Sequence, residues 1–227
     1  MRVTAFLGVF VLVLAICAWA QNKYGLKTTG LNAYHATLKD NPQKELVNLA
    51  VFAPDIVLDI GYATEKNFTG KRIYTLARAY ARRPAAEALK KAQAEFRKRG
   101  YGIKVYDAYR PYKATVRFYE VYQDTTYVAS PYRGSRHNRG CALDITLVDL
   151  KTGKELPMPT AWDAFDKQAW PTAIVADPAI RANRDLLISV MEQNGFTVYE
   201  HEWWHFDYNR WNDYEVMDID FEELEKK

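Results

Sequence analysis

Phe196-Thr197-Val198-Tyr199-Glu200-His201-Glu202-Trp203-Trp204-His205-Phe206 is the stretch on which the fold turns. It contains His-Glu-x-x-His, which on a helix would bring two imidazoles, at i and i+4, onto one face around a single metal ion. The neighbouring residues oppose a helix. Asn194-Gly195 is a helix stop, and Phe196 to Tyr199, the tandem tryptophans and Phe206 favour extended chain. At ~3.3 Å per residue, extended chain separates His201 from His205 by about 13 Å, too far to share an ion. One histidine then has to drop out, and the stretch also offers Glu202 and His205, a carboxylate and an imidazole three residues apart. A regular strand would put those two on opposite faces, so this reading requires a bulge or a strand end near Trp203-Trp204.

Working outward, Asp177 to Gln193 predicts a helix, with Ile180, Leu187, Val190 and Met191 near helical spacing. Leu143 to Val148 predicts a strand that enters a turn at Thr152-Gly153-Lys154. Pro111 opens a helix to about Tyr122, and Ile103 to Tyr106 reads as a strand. The strongest helix signal starts at Pro84: Ala85 to Arg99 is rich in Ala, Leu, Lys and Glu, and Gly100 stands where a C-terminal cap belongs. Ile56 to Ile60 reads as a short buried strand, and residues 21–44 as a polar wrapping arm. Helices and strands without regular βαβ alternation give an α+β fold, a single domain with a mainly antiparallel sheet and flanking helices.

The 227 residues are 48% apolar and 26% charged, which excludes collagen-like, low-complexity and wholly disordered classes. A net charge of +3 from 31 basic and 28 acidic side chains is too balanced for a nucleic-acid partner. Arg2, the apolar run Ala5 to Ala18 and the small-x-small site Ala18-Trp19-Ala20 have the form of a secretory signal over residues 1–20. That leaves 21–227 as the domain and an exported protein of the periplasm or cell envelope. The run is shorter than the ~20 residues of a spanning helix, so no membrane span is expected after cleavage. Ile16 stands where a lipoprotein signal ending in Cys17 wants a small residue. With Cys17 removed, Cys141 is left without a disulfide partner, and a catalytic role for it would need a nearby base.

Of four histidines, His137, His201 and His205 lie in two compact segments. In Ser135-Arg136-His137-Asn138-Arg139-Gly140-Cys141-Ala142-Leu143-Asp144 an imidazole and a carboxylate flank a glycine turn, and Gly140 and Ala142 are small enough to let backbone approach an ion. A carboxylate facing inward from an apolar run is costly unless paired or metal-bound. The pair could equally be a His–Asp hydrogen bond fixing a loop. Adding Glu202 and His205 completes what a zinc hydrolase needs: three ligands, an open position for water, and a further carboxylate to take the water's proton.

These residues resemble the zinc D-Ala-D-Ala dipeptidases of the vancomycin-resistance type, within the wider D-alanyl-D-alanine carboxypeptidase and Hedgehog-like metallopeptidase fold. The resemblance rests on Ser-x-His-x-x-Gly-x-Ala-x-Asp at Ser135 to Asp144, Glu-Trp-Trp-His at Glu202 to His205, and Asp-Ala-Tyr-Arg-Pro at Asp107 to Pro111. Tyr62-Ala63-Thr64 and Asn67-Phe68-Thr69-Gly70 add to it. It implies one zinc per chain on His137, Asp144 and His205, with Glu202 as the catalytic base and Arg110 facing the developing oxyanion. It also implies D-Ala-D-Ala as substrate, its ammonium near Ser135 and Asp163, and Tyr62 lining the pocket. His201 becomes a neighbour of the ligands. Met158-Pro159-Thr160-Ala161-Trp162-Asp163 departs from the family's Met-Gly-x-x-Phe-Asp pattern at Pro159 and Trp162. Taken alone, Arg110 could serve only as a salt bridge to Asp107. A D,D-carboxypeptidase acting on peptidoglycan stems and a non-catalytic, zinc-containing wall-binding module are the competing functions, and the presence of Glu202 and Arg110 argues against the second.

Overall fold

The computed structural model describes residues 23–226, so the expected leader at 1–20 lies outside the described residues. In chain order the elements are α1 (Leu31–Asp40), β1 (Leu46–Asn48), α2 (Leu49–Phe52), β2 (Val57–Leu58), β3 (Tyr80–Arg82), α3 (Arg83–Arg97) and β4 (Tyr101–Asp107). They continue with α4 (Tyr112–Val121), β5 (Ala142–Asp149), α5 (Pro178–Gln193), β6 (Phe196–Tyr199), β7 (Glu202–Tyr208) and α6 (Phe221–Glu225). Five strands form one sheet in the order β2-β4-β5-β7-β6, antiparallel except for the β2–β4 pair, while β1 and β3 form a separate antiparallel ribbon. The fold is the expected α+β class. The expected buried strand at 56–60 shrinks to Val57–Leu58, with Val57 exposed, and a single helical turn begins at Gly61.

The central strand β5 is buried along almost its whole length, and its pleat decides what faces the site. Leu143, Ile145 and Leu147 join one hydrophobic core with Leu89 and Phe96 of α3, Leu187, Val190 and Met191 of α5, and Ile103 and Val105 of β4. Alternation then turns Asp144 to the other face of the sheet. α3 and α5 keep the starts their prolines specify: a proline sits in the first turn of each, and the Asp177 carboxylate accepts from the backbone N–H groups of Ala179 and Ile180.

Two segments depart from the sequence reading. The polar arm contains α1, anchored by its buried Tyr34, whose phenol oxygen accepts from the Leu46 N–H at 2.7 Å. With so narrow an apolar face the helix leaves little periodic signal. Beyond β7, residues 214–219 return across the molecule. The Met217 N–H donates to the Asn138 carbonyl at 2.9 Å and the Tyr112 N–H to the Met217 carbonyl at 3.1 Å. The Tyr109 hydroxyl donates to the Ile219 carbonyl, and Phe221 packs against Tyr74, Tyr80 and Tyr109. No described helix is long and apolar enough to cross a membrane.

Candidate metal centre and active site

Three elements deliver one cluster. His137 opens a single turn, His137–Arg139, after α4; Asp144 comes from β5; His205 lies directly across from Asp144 on β7. The irregularity that the sequence demanded is present. The β6–β7 pairing jumps from Val198–Phe206 to Tyr199–Glu202, so Trp203, Trp204 and His205 have no partner on β6. That slack lets Glu202 and His205 reach the same cavity, with Glu202 Oε2 3.7 Å from His205 Nδ1. The stretch is a strand, so the helical His-Glu-x-x-His arrangement does not form. His201 stands apart from the cluster, 3.3 Å from the Tyr199 hydroxyl with its ring against Trp170.

His137 Nε2 and His205 Nδ1 are 3.1 Å apart, and Asp144 Oδ1 lies 3.3 Å and 3.1 Å from them. The outer nitrogens are spoken for. His137 Nδ1–H donates to the Ala108 carbonyl at 2.7 Å, and His205 Nε2–H donates to Asp207 Oδ1 at 2.9 Å. Those tethers fix the tautomers and leave two lone pairs and a buried carboxylate oxygen, itself without a hydrogen-bond donor, aimed at one point. Converging acceptors repel unless a cation sits among them, and two imidazoles with one carboxylate form a donor set that a metal ion accepts. The cluster's field shows the same demand. Burial opposes charge on His205, yet Asp207 and Asp144 outweigh it and push the imidazole up to about 10.

Glu202 and Arg110 flank the cluster. Burial, assisted by Asp144, pushes the Glu202 carboxyl up to about 8 against the pull of His205 and Arg110. Arg110 makes the ion pair with Asp107, Nε and Nη2 lying 2.9 Å and 2.8 Å from Oδ2, and also lines the cavity, with Nη2 3.7 Å from Asp144 Oδ2. Its guanidinium lies over the rings of Phe118 and Tyr62 at 4.7 Å and 5.3 Å. The salt bridge and the cavity position are therefore compatible.

The three residues expected near the substrate line the same cavity, whose volume is about 760 Å³. Tyr62 donates its hydroxyl to Asp163 Oδ1 at 3.0 Å, and Asp163 Oδ2 is buried without a donor. Burial and the charge of Asp144 hold the Asp163 carboxyl well above the usual carboxylate range. Asp163 has a φ of 59°, a backbone state that short polar side chains tolerate best. The unusual Trp162 beside it stacks on Tyr106 and lies over Gly61, where a Cβ would come within 2.2 Å of the indole. Ser135 Oγ accepts the His137 N–H at 3.2 Å.

Gly140 differs from its expected use. It has a φ of +69°, and a Cβ there would meet Leu46 Cδ2 at 2.5 Å and the Arg82 nitrogen at 3.3 Å. It answers to a left-handed turn packed on the β1–β3 ribbon, not to the approach of an ion. Cys141 is buried and burial pushes its thiol up to about 12, so it is no nucleophile. Two residues escaped the sequence reading. Asp207 lies two positions after His205, on the same strand face, and that spacing was a usable signal. Asn138 carries no such signal: its amide donates to the Arg110 carbonyl and Thr115 Oγ1 and accepts from the Ser135 N–H, tying the site's loops together.

Comparison with known proteins bears on this site. A family model described as peptidase M15, D-Ala-D-Ala dipeptidase, matches residues 42–222. A D-alanyl-D-alanine dipeptidase of Escherichia coli is 37% identical over 163 residues, 72% of this chain and 84% of that protein. One from Enterococcus faecium is 34% identical over 168 residues, 65% of this chain and 83% of that protein. Among solved structures, the LdcB LD-carboxypeptidase aligns over 67% of this chain and 66% of its own at 22% identity and a TM-score of 0.37, a superposition too loose to bear on the activity. On the family match and these identities, the chain belongs to the D-Ala-D-Ala dipeptidase family of metallopeptidases.

Proposed function

We propose that the protein is an exported zinc dipeptidase that hydrolyses D-Ala-D-Ala to two D-alanines, with His137, Asp144 and His205 holding one zinc ion. The observation that carries this reading is the convergence of Nε2, Oδ1 and Nδ1 of those residues, both imidazoles tethered from behind, in the cavity that holds Glu202 and Arg110. The chemistry supplied by zinc at that point is Lewis acidity toward the peptide carbonyl and a lowered pKa for water. Glu202 is the general base: its carboxylate lies in the cavity beside the three ligands, where it takes a proton from the attacking water and hands it to the leaving amine. Arg110, clamped by Asp107 and two aromatic rings, keeps a fixed positive charge beside the reacting carbonyl and stabilises the oxygen as it gains charge. Asp163, oriented by Tyr62, and Ser135 receive the free ammonium. The secretory form of residues 1–20 supports a periplasmic or cell-envelope setting for this chemistry.

The cavity volume favours one competitor, since about 760 Å³ exceeds what a dialanine fills and a D,D-carboxypeptidase needs such room. The test is hydrolysis by metal-loaded protein of D-Ala-D-Ala beside its N-acetyl analogue. Acylation removes the charge that Asp163 pairs with, so the free dipeptide is cleaved far faster. Equal efficiency on both would promote the carboxypeptidase, and hydrolysis of neither would end the peptidase reading.

A further inference from the structure

A dipeptide is a zwitterion, and the proposed function accounts for only one of its ends. With the ammonium at Asp163, the carboxylate lies beyond the scissile bond and needs a cation of its own. Besides the imidazoles, the cations lining the cavity are Arg110, Arg133, Arg136 and Arg139. Arg110 is committed to Asp107 and Asp144. Arg136 and Arg139 stand beside Trp211, three residues beyond the end of β7, and Arg133 lines the same cavity. The guanidiniums of Arg136 and Arg139 lie over that indole at 4.8 Å and 5.4 Å. Among the described residues, Arg133 and Arg139 have no carboxylate within 4.0 Å, and Arg139 donates only to the Tyr214 carbonyl. Arg136 has Asp207 alone, Nε to Oδ2 at 3.6 Å, and the other oxygen of Asp207 already serves His205. Arg136 and Arg139 thus repel each other, with the half-engaged Asp207 beside the first and Glu215 acting on the second. Holding like charges this close is unfavourable until an anion joins them.

We propose that Arg136, backed by Arg133 and Arg139, forms a carboxylate subsite that receives the α-carboxylate of the residue leaving the scissile bond. This deepens the dipeptidase reading and rests on it for the identity of the ligand. Arg136 follows Ser135 and precedes His137, so the turn that presents a metal ligand also fixes this cation beside it. Its planar fork suits a carboxylate, and the indole beneath it holds the guanidinium at the cavity wall.

The test is calorimetric binding of D-Ala-D-Ala and of D-alanyl-D-alaninamide to metal-loaded Glu202→Ala protein, which holds either ligand without consuming it. The free acid is expected to bind roughly ten- to a hundredfold more tightly than the amide. Adding Arg136→Ala should collapse that preference to near unity, and adding Arg136→Lys should restore most of it. Metal content and melting temperature stay at the Glu202→Ala values in both. Equal affinity for acid and amide, binding of neither, or a preference that survives Arg136→Ala would overturn the subsite. Loss of metal in Arg136→Ala would overturn it as well, by showing that the residue acts through Asp207 and His205. The native protein's activity on D-Ala-D-Ala is scored separately, so absent hydrolysis with an intact acid preference removes the dipeptidase reading alone.

Discussion

His205 is gripped from both sides, by Asp207 behind and by the metal position in front, and each grip predicts a separate outcome. His137→Ala and His205→Ala should lose the ion, while His201→Ala, whose ring lies against Trp170, should keep it; metal analysis of the three purified variants decides this. Asp207→Ala leaves all three ligands but frees the imidazole to rotate, and should weaken metal affinity ~10–100-fold in a chelator competition. Glu202→Ala should retain the ion and lose at least ~10²-fold in turnover, since a general base commonly contributes that much. Near-normal turnover in that variant would remove Glu202 from the mechanism. At this scale the convergence of His137, Asp144 and His205 could be read in the sequence because metal chemistry restricts residue type. Asn138 could not, because a buried amide gains its meaning from the Arg110 carbonyl and Thr115 hydroxyl that the fold brings to it.

Elements whose signals are local were legible: α3, α4 and α5 begin and end close to where Pro84, Pro111, Asp177 and Gly195 mark them. The β1–β3 ribbon was not, because three-residue strands carry no period and pair only through contacts distant in sequence. Yet that ribbon supports the site, since Leu46 and the Arg82 backbone fill the space beside Gly140. Gly140→Ala combines a left-handed backbone with a clash, and should cost about 2 kcal/mol or more in chemical denaturation. It should also weaken metal binding, because the turn it closes begins at His137. Unchanged stability would mean that the ribbon yields easily and does not hold the turn.

Across the whole molecule, the cavity is assembled from segments far apart in sequence, from Leu26 to Asn212, and the returning segment at 214–219 locks them. Met217 is the clasp: its carbonyl accepts from Tyr112 at the head of α4, and its N–H holds the carbonyl of Asn138, the residue after His137. Order of synthesis then acquires a meaning. A nascent chain emerges in sequence order, so His137, Asp144 and His205 are all present before Met217 arrives to close the turn at His137. The interval leaves the three residues unclasped, and completion of the proposed metal site waits on a methionine that is none of its ligands.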